Sequence, residues 1–261
     1  MDHQSAMLAA RSLTAARRSG TRIDSLPAPA VPRSHDDGYH IQDAVAACFG
    51  EQVGAWKVGA THPNAQASLG VDGPVAARLF SQNLLFGDQR LADTFMVRGL
   101  EAEYAFLMGA DLPPAGVPYS REQIAAAVAS VHPAIEIVDT RFTAAQQGVL
   151  AIADNVNDAL WIYGEGVSDW RALDRVNAEV TLQVNGEVVV RGSGAEVLGD
   201  PMTSLEWLVN EHAGAREGVR AGQYITTGSC TGLYKSPAGC TARATFAGLG
   251  ELNVMFTAPG H

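Results

Sequence analysis

Two carboxylates one residue apart, Glu101 and Glu103, interrupt the apolar run Leu100-Glu101-Ala102-Glu103-Tyr104-Ala105-Phe106-Leu107. In a strand, side chains two apart share a face, so the pair stands side by side roughly 6.5–7 Å along one surface. Like charges so placed repel each other and lose hydration if buried. A cation removes both penalties, and hard carboxylate oxygens suit Mg2+ or Mn2+. Glu-x-Glu is also commonplace on solvated strands, so the pair alone leaves both a metal site and a plain exposed face open. Glu136, inside Ala134-Ile135-Glu136-Ile137-Val138, is either a third ligand or an edge residue facing water. Lys57, in Trp56-Lys57-Val58-Gly59, is either a snorkelling edge lysine or a partly desolvated amine fit for acid/base chemistry.

Other polar groups have less specific surroundings. Asp154 and Asn155 stand at a helix-to-strand junction, where they line a pocket or simply cap. Thr227-Gly228-Ser229 closes a strand with small donors, which suits an anion or a tight turn. Gly192-Ser193-Gly194 lacks the glycine spacing and the long following helix of a dinucleotide loop, and that reading is discarded.

The elements that must position these residues follow from pattern. An N-terminal helix packs on Met7, Leu8, Leu13 and alanines; its arginines faintly suggest a transit peptide, but the early Asp2 argues for a plain helix. Pro27, Pro29 and Pro32 mark a linker, and Ile41 to Phe49 form an amphipathic helix stopped by Gly50. A short helix is expected from Pro63 to Leu69, and an alanine-rich one from Arg121 to Val131, stopped by His132-Pro133 before a strand at 134–138. Asn185-Gly186 joins two strands as a hairpin, Asp200-Pro201 opens a helix, and Gly248-Leu249-Gly250 turns a terminal hairpin. Helices gather early and strands late, a mixed α+β order. The expected division is an N-terminal helical region, residues 1–50, and a catalytic body, residues 51–261.

The chain has 261 residues, enough for a sizeable core, with 47% hydrophobic residues and a net charge of −10. That charge, without any Lys/Arg block, argues against nucleic-acid or anionic-membrane partners and for a small molecule. Cys48, Cys230 and Cys240 form no CxxC pattern, which fits a reducing cytoplasm, and no run of about 18 apolar residues predicts a membrane span.

Six stretches in register resemble one family. Lys57-Val58-Gly59-Ala60-Thr61, Leu69-Gly70-Val71-Asp72, Leu100-Glu101-Ala102-Glu103, Pro133 to Arg141, Ala153-Asp154-Asn155 and Thr227-Gly228-Ser229 occur in the order and approximate spacing of the 2-oxopent-4-enoate hydratase and 4-oxalocrotonate decarboxylase family, within the fumarylacetoacetate hydrolase superfamily. The resemblance runs from about residue 5 to residue 257. It implies a mixed β-roll, a homo-oligomer, Mg2+ or Mn2+, and action on 2-oxo or 2-hydroxydienoic acids of aromatic catabolism through a metal-held enolate. By motif, Glu101, Glu103 and Glu136 match the metal ligands and Lys57 the active-site lysine, while Asp154, Asn155 and Ser229 resemble substrate-pocket positions. A hydratase of the 2-keto-4-pentenoate type is the leading expectation. Decarboxylation, acylpyruvate-type carbon–carbon hydrolysis and a non-catalytic homologue are the alternatives. The sequence departs from the family where hydratases carry aspartate after the proline of Gly73-Pro74; here Val75 and Ala76 follow, matching neither branch. Asp200 replaces the usual histidine before Pro201, and Gln223 a usual aspartate.

Overall fold

The computed structural model describes residues 1–258; residues 259–261, the end of the expected body, lie outside the described residues. The N-terminal helices α1 (His3–Ser19) and α2 (His35–Phe49) begin with side-chain caps from Asp2 and Ser34. They end at Gly20 and Gly50, both left-handed, a conformation glycine adopts without Cβ strain. Their buried residues, among them Leu13, Ile41 and Phe49, share one cluster with Phe80, Phe142 and Ala153 of the body.

The body opens with β1 (Val53–Gly59), α3 (Pro63–Leu69) and β2 (Val75–Phe80), and continues through β3 (Leu84–Phe86), β4 (Gln89–Ala92) and β5 (Gly99–Met108). Next come α4 (Arg121–Ala127), β6 (Val128–Val138), α5 (Gly148–Ala153) and β7 (Asp158–Tyr163). The hairpin β8 (Val180–Val184) and β9 (Glu187–Gly192) precedes α6 (Pro201–Glu211), and β10 (Tyr224–Ser229), β11 (Tyr234–Lys235), β12 (Thr241–Phe246) and β13 (Gly250–Thr257) complete the chain.

Two mixed sheets result. The larger runs β2-β1-β10-β5-β6-β7-β3, with β11 also on β5; the smaller runs β4-β13-β12-β8-β9. The end strands of the larger sheet, β2 and β3, are consecutive in the chain and joined by the single turn Ser81–Asn83, so the sheet curls on itself. Three alanines, Ala55, Ala105 and Ala134, leave room inside the curl for the larger Leu79 and Trp161. A Cβ on Gly54 would lie 2.6 Å from Leu84 Cδ1 and 2.8 Å from Ser81 Oγ, so glycine lets β1 pass close to the incoming β3 without displacing those side chains. The opposite face, with Leu100, Tyr104, Phe106 and Ile135, packs against Leu182, Ala244, Phe246 and Val254 of the smaller sheet.

The helix expected over 121–131 ends at Ala127, and the chain passes directly into β6. Valines at 128 and 131 favour extended backbone, the residue before Pro133 is biased away from the helix, and pairing to β5 decides the outcome. Pro133 thus lies inside a central strand, normally a poor place for a residue without an N–H. Gly164 N donates to the Pro133 carbonyl at 2.9 Å, and the Gly164 carbonyl is satisfied instead by His132 Nδ1 at 2.8 Å. Because a carbonyl only accepts, His132 carries its proton on Nδ1, leaving Nε2 to accept from Ser130 Oγ at 2.7 Å. The pairing of β6 with β5 continues in register through the proline, up to Glu136.

Candidate metal and acid/base site

Register brings the chemistry together. Glu101 on β5 pairs directly with Glu136 on β6, Glu103 pairs with Ala134, and Ser229 on β10 stands opposite Glu103. Lys57 on β1 pairs with Thr226 on β10, which in turn pairs with Ala105. One oxygen from each of Glu101, Glu103 and Glu136 lies within 4.8 Å of the others. Glu103 and Glu136 are buried and Glu101 is half-buried.

The Lys57 ammonium donates to Glu136 Oε1, and at 2.9 Å to the Val156 carbonyl. Thr226 Oγ1 donates to Glu103. Glu136 Oε2 is buried without a hydrogen-bond partner among the described residues.

The electrostatics show a shortage of positive charge. Burial pushes the Glu136 carboxyl up to about 8, Glu101 adding to the rise and Lys57 opposing it. Burial, then the negative charges of Glu136 and Glu101, raises Glu103 well above the usual carboxylate range. Glu101 is raised by burial as well, against the pull of Lys57. Burial alone would lower Lys57, but Glu136 and Glu101 outweigh it, so its pKa is raised and it stays an ammonium. A single lysine cannot neutralise three carboxylates. An orphaned buried oxygen and three converging hard donors fit a divalent cation, which would restore all three to their charged form.

A short backbone segment completes the site. Asn155, Val156 and Asn157 have φ of 57°, 53° and 57°, a left-handed turn that costs about 1–3 kcal/mol for each non-glycine residue. It aims the Val156 carbonyl at Lys57. Asp154 accepts from Thr140 Oγ1 at 2.7 Å and Arg141 N at 2.9 Å on Oδ2, and from Arg141 Nε on Oδ1, so both its oxygens are engaged by the protein. The Asn155 amide donates to the Arg78 carbonyl and to Asp158 Oδ1. Ser229 Oγ donates to the Gly232 carbonyl at 3.0 Å. Glu101, Glu103, Glu136, Lys57 and Ser229 therefore gather around one face, while Asp154 and Asn155 hold the segment behind it.

Val75 pairs with Gly59 and Ala77 with Lys57, which puts both on the lysine's face of the sheet; Ala76 faces the main core. With Ala60, Ile152 and Val156, and half-buried Leu69 and Val71, they form an apolar wall beside Lys57. Asp200 caps α6 and pairs with Arg175 and Arg121, and Gln223 Nε2 bonds the Val53 carbonyl. Two contributors escape a reading by residue type. Thr226 is one among several threonines, and the Val156 carbonyl is backbone. The two asparagines flanking Val156 were the available signal, since asparagine tolerates positive φ better than most residues.

Fold and site together define a curled mixed sheet that gathers three carboxylates and a lysine on one face. A sequence model described as Fumarylacetoacetate (FAA) hydrolase C-terminal matches residues 90–257, and the chain belongs to the fumarylacetoacetate hydrolase family. It is 31% identical over 263 residues to a 2-keto-4-pentenoate hydratase of Burkholderia vietnamiensis strain G4, covering 98% of each chain. It is 29% identical to a 4-oxalocrotonate decarboxylase of Pseudomonas putida, covering 79% of this chain and 78% of that one. The solved 4-oxalocrotonate decarboxylase from Pseudomonas putida G7, complexed with magnesium and adipate, superposes with a TM-score of 0.88 at 24% identity, over 98% of this chain and 99% of the other. The mixed β-roll with a helical N-terminus is thus the fold observed.

Proposed function

We propose that this protein is a metal-dependent lyase of 2-hydroxydienoic or 2-oxo acids, a hydratase of the 2-keto-4-pentenoate type. The carrying observation is the Glu101/Glu103/Glu136 set with Lys57 wedged beside it, in a chain whose full-length relative is such a hydratase. Glu101, Glu103 and Glu136 would hold Mg2+ or Mn2+. When bound, that ion supplies a Lewis acid for the substrate's carboxylate and 2-oxygen. Lys57 carries the proton: its ammonium faces the developing negative oxygen and donates a proton to the carbon chain, and the amine left behind takes the proton of the 2-hydroxyl. Hydration then adds water across the distal double bond made electrophilic by ketonisation. The wall of Val75, Ala77, Val156 and Ile152 holds the apolar chain and keeps bulk water from it. Ser229, opposite Glu103, is assigned to the substrate's carboxylate end, and Asp154 and Asn155 act on the substrate through the segment they hold.

Decarboxylation is the second reading, supported by the likeness to a 4-oxalocrotonate decarboxylase; Val75 weakens the hydratase reading but matches neither branch. Carbon–carbon hydrolysis is not supported. The His62–Glu196 pair, at 3.4 Å, is exposed, and His62 Nδ1 is occupied capping α3 by accepting from Asn64 N at 3.1 Å. Among the described residues no helix is long and apolar enough to cross a membrane. The cytoplasmic location read from the cysteines and the homo-oligomeric state implied by the family resemblance belong to this same reading. The test is an ultraviolet assay with Mg2+ or Mn2+, offering a 2-hydroxydienoate and separately a 2-oxo-enedioate, with products weighed by mass spectrometry. Gain of one water supports the hydratase, loss of carbon dioxide supports the decarboxylase, and no change in either substrate while metal binds overturns both.

A further inference from the structure

The Val156 carbonyl that holds Lys57 sits at the middle of three consecutive left-handed residues, a conformation local preference does not supply. The restraint comes from the far end of the chain. Asn155 Nδ2 donates to Asp158 Oδ1 at 2.8 Å. Asp158 is also taken by the guanidinium of Arg17 in α1, Nη2 to Oδ1 at 2.7 Å and Nη1 to Oδ2 at 3.2 Å. The Asp158 side chain is 1% exposed and that of Arg17 11%, so the pair is shielded from solvent. Arg141 ties the same segment at both ends through the carbonyls of Asp154 and Asp158. Contacts therefore run unbroken from Arg17 through Asp158, Asn155 and the turn to the Lys57 ammonium.

We propose that Arg17, in the N-terminal helix, is a positioning residue for Lys57: its two-pronged grip on Asp158 fixes the 155–157 turn and thereby the place of the ammonium. The planar fork matters as well as the charge, because lysine cannot make both bonds in one plane. The role assigned to Lys57 is that of the proposed function, but the first readout below does not depend on it.

The chain has two lysines, Lys57, which is buried, and Lys235, which is exposed. Competitive acetylation of the full chain with acetic anhydride, followed by peptide mass spectrometry, reads Lys57 with Lys235 as internal reference. Arg17→Met is expected to raise the Lys57 to Lys235 labelling ratio severalfold. Its kcat should fall about ten- to a hundredfold with KM near the unmodified value, as for a misplaced reacting group. Arg17→Lys should fall between the two. Asp158→Asn, which keeps the shape and loses the charge, should give the same pattern and decides the matter if Arg17→Met does not fold. A folded variant with an unchanged labelling ratio overturns the proposal, whatever its activity. If Lys57→Met keeps full activity, the acid/base role of Lys57 fails, while the labelling result still decides the coupling to Arg17.

Discussion

Replacing Lys57 by methionine should destabilise the metal-free protein far more than the metal-loaded one. Methionine fills nearly the same space, so the change removes a charge and little packing. Lys57 and Glu136 are 2% and 1% exposed, and Glu136 has one oxygen already unpartnered among the described residues. Breaking a buried pair in this way costs about 3–5 kcal/mol. At about 2–4 °C per kcal/mol for a domain of this size, the melting point in EDTA should drop by roughly 10 °C. A divalent cation bound among Glu101, Glu103 and Glu136, as proposed, would supply the missing positive charge, so with saturating Mg2+ the drop should be less than half as large. Differential scanning fluorimetry of both proteins, each in EDTA and in excess Mg2+, measures the four melting points. Equal drops in the two conditions would refute the idea that ammonium and cation answer to the same carboxylates.

Thr226→Val removes the hydroxyl that orients Glu103 and should weaken Mg2+ binding about ten- to a hundredfold by calorimetric titration, with Thr226→Ser restoring it. His212, packed against Tyr39, Trp56 and Trp207, has its pKa pushed down to about 4 by burial and then by Arg216 and Arg78. A depressed histidine contributes stability above its unfolded value near 6.5 that is lost as pH falls toward 4; the full window is worth on the order of 3 kcal/mol. Urea melts from pH 7 to pH 4 should show that loss, and His212→Phe should flatten it. Gly228 has φ 105°, and a Cβ there would lie 2.2 Å from Thr61 Oγ1. Gly228→Ala should cost about 1–3 kcal/mol in chemical denaturation, partly recovered by adding Thr61→Gly.

What was legible in the sequence was local. Asn185-Gly186 turns its hairpin with φ of 52° and 87°, as that dipeptide favours. Asp200 caps α6 through Met202 N at 2.9 Å, with Pro201 in the first turn where its missing N–H costs nothing. α3 runs from Pro63 to Leu69 as its proline start and glycine stop dictate. The helix over 121–131 failed because alanines speak for helix in isolation, while residues 128–131 gain more by pairing with β5. The spacing of Glu101 and Glu103 put them on one face, but nothing local placed Glu136 opposite Glu101. Nor could it show that β10, from late in the chain, would separate Lys57 on β1 from β5.

The departures from local preference are not scattered. Pro133 in a central strand, three left-handed residues at 155–157 and a cluster of buried carboxylates each go against what their own segment prefers. Pro133 lies on the strand that carries Glu136, the left-handed turn supplies the carbonyl that grips Lys57, and the carboxylates meet between them. Each is answered by a group distant in sequence: Gly164 and His132 for the proline, Arg17 and Arg141 for the turn, and Lys57, in part, for the acids. Tertiary structure overrides local preference only where it is over-determined, and a rigid frame of that kind is what holds a lysine and three acids in a fixed relation. The N-terminal helices, outside the stretch matched by the family's C-terminal model, contribute Arg17 to that frame. They brace the site through Asp158, behind the strands that carry its carboxylates.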